Sequence, residues 1–155
     1  MPQGRNKYYQ GYFMPYNKDK YVGDIDNIFY RSSWERKFMI MCDKDPNVIR
    51  WSSEPLKNNI TYINPLDGKT HHYIVDFWLE MRNGKKVLVE IKPYKQTVRP
   101  KFDESKNYTS KRLNTYNNEL KTYITNLAKW NAAKNFCERY DWEFNLITEK
   151  TLNVQ

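Results

Sequence analysis

Cysteine is scarce in this sequence, and its two cysteines stand far apart. Cys42 and Cys137 form no CxxC pair and match no Cys/His spacing of a zinc site. Disulfide frameworks and structural zinc sites show several such residues at regular spacings. The sequence therefore indicates neither, and we predict that the two side chains are reduced thiols in the core.

Long hydrophobic runs are also missing. No stretch reaches the roughly 20 apolar residues that a membrane-spanning helix needs. The segment Met1 to Gln10 contains no apolar run of the signal-peptide type. We therefore expect a protein without a membrane span that works in a cytoplasm.

Acidic residues are outnumbered by basic ones. The chain has 26 Lys and Arg against 18 Asp and Glu, a formal net charge of +8. This excess indicates a polyanionic partner such as nucleic acid, although a Lys-rich soluble surface gives the same count. Because 39% of the 155 residues are hydrophobic and 16% are aromatic, we expect a folded domain with its own core rather than a disordered chain.

The first 27 residues combine four basic side chains with many tyrosines and phenylalanines and follow no sustained period. We predict a basic, aromatic arm over residues 1–29, followed by a single domain over residues 30–155. In one interpretation the arm contacts nucleic acid or a protein partner through phosphate charge and base stacking. In the other, its aromatic side chains fasten it to the surface of the domain.

A helix and a set of strands follow the arm. Apolar side chains recur at helical spacing behind the N-cap candidates Ser32 and Ser33, which predicts a helix from Ser32 to about Asp43. Runs of apolar and β-prone residues predict strands over residues 48–53, 59–63, 73–81 and 86–92. The pair Asn83-Gly84 between the last two strands is typical of a hairpin turn.

A second helix and a closing strand complete the order of elements. The polar and basic segment from Pro93 to Asn118 predicts a long loop. An apolar stripe from Leu120 to Tyr140 predicts an amphipathic helix packed on the core, whose outer face displays Lys121, Lys129 and Arg139. Residues 142–148 predict a strand that a β-helix-β connection could add to the sheet. The order of helix, strands, helix and strand indicates an α/β fold.

Three charged residues stand out in the predicted hairpin. Asp76 interrupts a continuous apolar strand, where an unpaired buried charge would cost several kcal/mol. In the next strand the alternation of side chains places Glu90 and Lys92 on one face. If the hairpin pairs through its turn, Asp76 and Glu90 come close enough to share a cation.

This constellation is suited to phosphodiester hydrolysis. Two carboxylates and the backbone carbonyl of Ile91 provide the hard oxygen ligands that Mg²⁺ prefers. Lys92 could orient or help deprotonate the attacking water and offset negative charge in the transition state. The spacing alone is equally compatible with Asp76 ending its strand and Glu90 pairing with Lys92 on a solvated edge.

Glu35 is a further candidate for this site, as a metal ligand or as a residue that supports the ligands. Ser32 and Glu35 also form a capping box, in which the Glu35 carboxylate would bind the Ser32 amide for local reasons only. His71 and His72 lack the partners of a metal site, and we expect a turn or strand-edge role. The candidate DNA-contacting residues lie in the segment after Lys92, and they are Lys95, Arg99, Lys101, Lys106, Lys111 and Arg112.

Several motifs resemble known nucleases. Ser33-Trp34-Glu35, Tyr73-Ile74-Val75-Asp76-Phe77 and Glu90-Ile91-Lys92-Pro93 resemble the PD-(D/E)xK nuclease superfamily. Within it, the chain from Tyr30 to Leu152 is similar to TnsA-type endonucleases through Asp45-Pro46-Asn47-Val48, Trp51, Glu54-Pro55, Trp130-Asn131-Ala132-Ala133 and residues 144–149. Tyr21-Val22-Gly23-Asp24 and Tyr30-Arg31-Ser32-Ser33-Trp34-Glu35 are similar to the head-completion proteins of large tailed bacteriophages.

The resemblance implies a restriction-endonuclease-like core, a mixed β-sheet flanked by helices. It places Glu35, Asp76, Glu90 and Lys92 on the catalytic positions of a DNA endonuclease that uses Mg²⁺, with Mn²⁺ as the alternative ion. The proline that the superfamily's name puts before the strand aspartate is Val75 here.

The resemblance also implies a biological role at the end of DNA packaging. The expected partners are double-stranded DNA and phage head or portal proteins, and the expected location is the host cytoplasm, with incorporation into the virion as a further expectation. Two other functions remain open: a structural head-completion protein that binds DNA ends without cutting them, and a cleaving subunit of a TnsA-like transposase.

Overall fold

The computed structural model describes residues 10–55 and 59–152. In chain order the strands are β1 (Gly11–Tyr12), β2 (Phe29–Tyr30), β3 (Val48–Ser53), β4 (Ile60–Ile63), β5 (Thr70–Tyr73), β6 (Phe77–Met81), β7 (Lys86–Ile91) and β8 (Glu143–Ile147). The helices are α1 (Ser33–Lys44), α2 (Ser110–Tyr140) and α3 (Glu149–Leu152). Short 3-10 helices occupy Lys18–Lys20, Ile25–Asn27 and Tyr94–Gln96.

The central sheet has the strand order β3-β6-β7-β8 and is mixed. Strand β6 pairs antiparallel with β3 and β7, whereas β7 and β8 pair in parallel. The β6–β7 hairpin turns at Asn83 and Gly84, where Gly84 has a φ of +88°, a value that glycine adopts without strain. These features confirm the predicted α/β fold, the hairpin and the closing strand.

The two faces of the sheet carry separate apolar clusters. On one face, α1 buries Phe38 and Met39 against Trp51, Phe77 and Val89. On the other face, α2 buries side chains that include Trp130, Ala133, Phe136 and Cys137. Both cysteines are free and buried, as predicted.

The predicted strand over residues 73–81 is in fact divided. Strand β5 ends at Tyr73 and pairs with β4 in a separate two-stranded hairpin, whereas β6 begins at Phe77 in the central sheet. The link of residues 74–76 carries the chain from one sheet to the other. Asp76 therefore lies at the entrance of β6 rather than inside a continuous strand.

The predicted loop over residues 93–118 was too long. Helix α2 begins at Ser110, and the side chain of Thr109 caps it by accepting a hydrogen bond from the Arg112 amide at 3.1 Å. Two DNA-contact candidates, Lys111 and Arg112, thus belong to the first turn of a helix. The prediction that the whole stripe from Leu120 to Tyr140 packs on the core is wrong at two positions, because Leu127 and Tyr140 are exposed.

Residues 10–29 pack against the rest of the fold. The rings of Phe13 and Tyr21 lie edge-on to Trp51 at centroid distances of 5.9 and 4.7 Å. The buried carboxylate of Asp43 accepts hydrogen bonds from the amides of Tyr16 and Asn17 at 2.8 and 2.9 Å. In residues 10–29 the aromatic side chains thus fasten the chain to the rest of the fold. The basic residues Arg5 and Lys7 of the predicted arm lie outside the described residues.

Within residues 10–55 and 59–152, no helix combines the length and the apolar character needed to cross a membrane.

Candidate active site

Asp76 and Glu90 face each other at the start of β6 and the end of β7. Phe77 pairs with Val89 in the antiparallel register, so the residues one step further, Asp76 and Glu90, lie opposite each other. The Asp76 carboxylate accepts a hydrogen bond from the Ile91 amide at 2.8 Å. The fold therefore brings together the two carboxylates that the sequence singled out.

Glu90 is buried, and Asp76 beside it is half-buried. Glu90 is 5% exposed, and the Tyr73 hydroxyl donates a hydrogen bond to its carboxylate. Burial and then the neighbouring Glu90 carboxylate raise the pKa of Asp76 to about 8, against the opposing effects of the Ile91 amide and Lys92. Two carboxylates side by side in a largely desolvated site disfavour double ionisation. A positive charge between them would offset this cost.

Lys92 follows β7 at the edge of this pair. Its amide donates a hydrogen bond to the Ile147 carbonyl at 2.9 Å, which continues the pairing with β8. Its ammonium group lowers the pKa of Asp76 through its charge, as the weakest of the causes that act on that group. Glu90 lies on β7 and Lys92 directly follows the strand, and the alternation of side chains along this extended segment predicts that both share one face.

Glu35 lies in the first turn of α1. Its carboxylate accepts a hydrogen bond from the Arg31 amide at 2.9 Å, rather than from the Ser32 amide of the expected capping box. Ser32 does cap the helix, because its hydroxyl accepts a hydrogen bond from the Glu35 amide at 3.1 Å. Burial raises the pKa of Glu35, and the charge of Asp76 adds to this effect. Glu35 is therefore both a local cap and an electrostatic neighbour of Asp76.

The three carboxylates do not form a compact ligand set. In the part of the chain that the structure describes, no three Asp, Glu, His or Cys side chains converge closely enough to hold a metal ion by themselves. The pair of Asp76 and Glu90 is the closely coupled unit, and Glu35 lies outside it.

Three further side chains act on this pair without a predicted role at the site, and they are Tyr73, Arg31 and Lys129. Tyr73 binds Glu90, and Arg31 forms an ion pair with Glu54. The Glu54 ion pair raises the pKa of Arg31, and the charges of Glu35 and Asp76 act in the same direction. Lys129 of α2 lies 5.8 Å from the ring centroids of Tyr62 and Tyr73.

The prediction that Lys129 lies on the outer, solvated face of its helix is wrong. Burial lowers the pKa of Lys129, and the charge of Lys92 lowers it further, whereas Glu90 and Asp76 raise it. These opposing effects place its ammonium group within electrostatic reach of the candidate site. A functional pattern for Lys129 is not visible in the sequence, since its spacing is that of an ordinary solvated helix position.

The candidate DNA-contacting residues divide into two groups. Arg112 is engaged locally, because its guanidinium lies 5.1 Å from the centroid of the Phe102 ring and donates a hydrogen bond to the Asp103 carbonyl at 2.9 Å. Lys106 lies 3.8 Å from the Asp103 carboxylate in an exposed pair. The other candidates are exposed, and they are Lys95, Arg99, Lys101 and Lys111.

The two histidines lie in β5. The His71 ring contacts the Asp67 carboxylate at 2.8 Å and stacks on Tyr62 at a centroid distance of 5.5 Å. His72 is paired in register with Thr61. These contacts agree with the strand-edge role expected for both residues.

Comparison with known proteins agrees with the geometry of this site. Residues 45–149 match the family described as the TnsA-like endonuclease N terminal. The chain is 35% identical over 146 residues to a protein named head completion nuclease from Enterobacteria phage T4, and the match covers 94% of this chain and 95% of that protein. Among solved structures, none matches the chain significantly. The chain therefore belongs to the TnsA-like endonuclease family, in the group of phage head-completion nucleases.

Proposed function

We propose that this protein is a metal-dependent deoxyribonuclease that cuts double-stranded DNA as a filled phage head is completed. The observation that carries this proposal is the facing pair of half-buried Asp76 and buried Glu90, with Lys92 beside it. An endonuclease needs a cation site, a water-activating group and access to a phosphodiester; Asp76 and Glu90 would supply the first and Lys92 the second. Membership of an endonuclease family supports the same chemistry.

The donor set fits a hard divalent cation, Mg²⁺ with Mn²⁺ as the alternative. Asp76 and Glu90 would be its carboxylate ligands and the Ile91 carbonyl its main-chain ligand, all of them oxygen atoms. Without a cation, burial and mutual repulsion raise the pKa of Asp76 to about 8, so that a proton takes the place of the missing charge. When bound, the cation supplies positive charge to the scissile phosphate and acidifies a bound water. Glu35 would support the pair from outside it.

The protein's own residues position the reacting groups. The Ile91 amide fixes Asp76 and the Tyr73 hydroxyl fixes Glu90, so that neither carboxylate has to be ordered when substrate binds. Lys92 orients the attacking water and offsets the negative charge that develops on the phosphate in the transition state. This role requires a positively charged side chain that is not itself a metal ligand.

The substrate contacts follow from charge and exposure. Lys95, Arg99 and Lys101 leave the site on the segment after β7, and Lys111 follows at the start of α2. These side chains would bind backbone phosphates of the duplex without reading its sequence. Arg112 would instead hold the shape of this segment through Phe102 and Asp103.

The proposed setting is the end of head assembly, in the host cytoplasm or in the virion, where head or portal proteins are partners and packaged DNA ends are the substrate. The printed name of the phage T4 relative and its near-complete coverage support this setting. The same coverage favours it over the cleaving subunit of a transposase. A compact chain of this size matches a head completion nuclease almost from end to end.

The test is cleavage of supercoiled and linear DNA by purified wild type with Mg²⁺, Mn²⁺ or EDTA. We expect metal-dependent cutting that Lys92→Ala reduces by about 100-fold or more, the effect of removing a group that stabilises transition-state charge. Lys134→Ala, at an exposed position of α2, is the matched control. If wild type binds DNA but never cuts it with either metal, the nuclease proposal is wrong and the structural head-completion role replaces it.

A further inference from the structure

A polar cavity opens beside Lys92, between α2 and the segment after β7. Its volume is about 420 Å³, and α2 lines it with Lys121, Thr125, Asn126 and Lys129. Lys92 and Gln96 line the opposite side. Among the described residues that line the cavity, none is acidic. The cavity is therefore positively charged on both sides, and Lys92 connects it to the candidate site.

The lining residues of α2 share one helix face. Lys121, Thr125 and Lys129 are spaced four residues apart, so their side chains lie above one another along the helix. Lys129 is held in place by the rings of Tyr62 and Tyr73, each 5.8 Å from its ammonium group. An ordered ammonium group between apolar rings is prepared to bind an anion at little further loss of side-chain freedom.

Asn126 gives independent evidence for a ligand. Its side chain is 4% exposed, and its amide nitrogen has no hydrogen-bond partner among the described residues. Buried amide groups are nearly always paired, so this donor calls for an acceptor. The amide borders a cavity with three lysines, and an anionic oxygen in this cavity would be an acceptor for it.

We infer that this cavity binds a phosphate group of the DNA strand next to the scissile phosphate. Lys121 and Lys129 supply the positive charge, and Asn126 donates a hydrogen bond to a phosphate oxygen. This subsite rests on the proposed nuclease function, because the scissile phosphate at Asp76 and Glu90 determines where its neighbour lies. An internal phosphodiester and a terminal 5′-phosphate at a DNA end share this chemistry.

The first experiment measures binding without metal, so that cutting does not enter the result. A fluorescent duplex is titrated in EDTA with wild type, Lys129→Ala and the exposed control Lys134→Ala, at several salt concentrations. We expect Lys129→Ala to weaken binding about tenfold, the effect of one charge-assisted hydrogen bond, and to reduce the salt slope by about 1. The control should bind as wild type does.

The second experiment uses Asn126→Leu, which keeps the size of the side chain and removes its unpaired amide. A merely structural asparagine would lose stability, whereas the subsite predicts an unchanged or higher Tm together with about fivefold weaker binding of the duplex. Competition by a closed circle, a 5′-phosphorylated duplex and a 5′-hydroxyl duplex distinguishes an internal phosphate from a terminal one.

The two proposals fail separately. Wild-type binding by both Lys129→Ala and Asn126→Leu overturns the phosphate subsite, even where the wild type cuts DNA with Mg²⁺. Weakened binding by both variants, with a wild type that never cuts, supports the subsite and overturns the nuclease function.

Discussion

The Tyr73 hydroxyl donates a hydrogen bond to the buried carboxylate of Glu90, and this bond joins two different sheets. Tyr73 ends β5 in the small β4–β5 hairpin, whereas Glu90 lies near the end of β7 in the central sheet. Burial raises the pKa of Tyr73, and the Glu90 carboxylate adds to the effect, so the tyrosine remains a hydrogen-bond donor at neutral pH. The small hairpin thus fixes one of the proposed metal ligands.

Tyr73→Phe removes this donor and little else. Loss of a residue that orients a ligand typically lowers metal affinity or activity by about 10- to 100-fold. We expect the Mg²⁺ concentration for half-maximal cleavage to rise by at least about tenfold, with the fold intact by circular dichroism. Tyr62→Phe on β4 is the matched control. Equal metal dependence in the two variants would contradict the role given to Tyr73.

Asp76→Asn should change the stability of the protein and its cleavage of DNA in opposite directions. The asparagine can still accept from the Ile91 amide and can donate to Glu90, which replaces a repulsive contact with a hydrogen bond. We expect the metal-free protein to become more stable by about 1–3 kcal/mol in urea unfolding at pH 7, because its raised pKa makes Asp76 take up a proton on folding, whereas asparagine needs none. Cleavage should be lost. A less stable variant would show that the two carboxylates do not repel each other in the folded protein.

Glu35→Gln tests the two interpretations of Glu35. The amide oxygen of glutamine can still accept the hydrogen bond from the Arg31 backbone, so a purely capping role predicts wild-type stability and wild-type cleavage. A supporting role at the metal site requires the charge, and we expect cleavage to fall about tenfold or more while the Tm stays within about 2 °C. Unchanged cleavage would leave Glu35 as a helix cap only.

The sequence predicted the local elements and missed the one break that depends on distant pairing. Strand β3 and the β6–β7 hairpin were readable because alternating side chains and the Asn83-Gly84 turn are local signals. The run from Tyr73 to Leu79 is apolar except for Asp76, and its division arises because β5 pairs with β4 instead of with the central sheet. Such a break is set by tertiary contacts, which periodicity does not record.

The start of α2 was missed for a different reason. Leu113, Tyr116 and Leu120 have helical spacing but are diluted by polar residues, and Tyr116 packs on Phe102 rather than on the main core. A helix stabilised by a local aromatic contact and a Thr109 cap shows little amphipathic signal in its sequence.

The candidate site was predictable where it depends on strands and not where it depends on helix orientation. Strand alternation and the hairpin were sufficient to bring Asp76 to Glu90. The position of Lys129 depends on how α2 is rotated against the sheet, and that rotation is fixed by the packing of Trp130, Ala133 and Phe136.

The cysteines provide a pH-dependent prediction away from the site. Burial raises the pKa of Cys137 to about 11 and also raises that of Cys42. The thiolate is the reactive form, and a raised pKa keeps the thiol protonated below it, so native alkylation by iodoacetamide should be slow and rise about tenfold per pH unit from pH 7 to 9. The urea-unfolded chain should react rapidly, because its thiols return to a pKa near 8.5. Alkylation is followed by mass spectrometry. Rapid alkylation of the native protein at pH 7 would show that the two thiols are not buried.

Asp43 holds residues 16 and 17 against α1, and its removal should release the segment around them. Its carboxylate is 2% exposed and accepts backbone hydrogen bonds from Tyr16 and Asn17 at 2.8 and 2.9 Å. Because hydrogen bonds to a charged group contribute about 1.5–3 kcal/mol each, Asp43→Ala should destabilise the protein by about 2–4 kcal/mol in urea unfolding. Trypsin should then cleave after Lys18 and Lys20 in the otherwise native protein, since both lysines belong to the released segment.

The control is Asp19→Ala, at an exposed position of the same segment, and it should change neither the stability nor the trypsin cleavage. If Asp43→Ala loses stability without new cleavage at these lysines, the aromatic contacts of Phe13 and Tyr21 with Trp51 are sufficient to hold the segment, and it then belongs to the domain rather than to a separable arm.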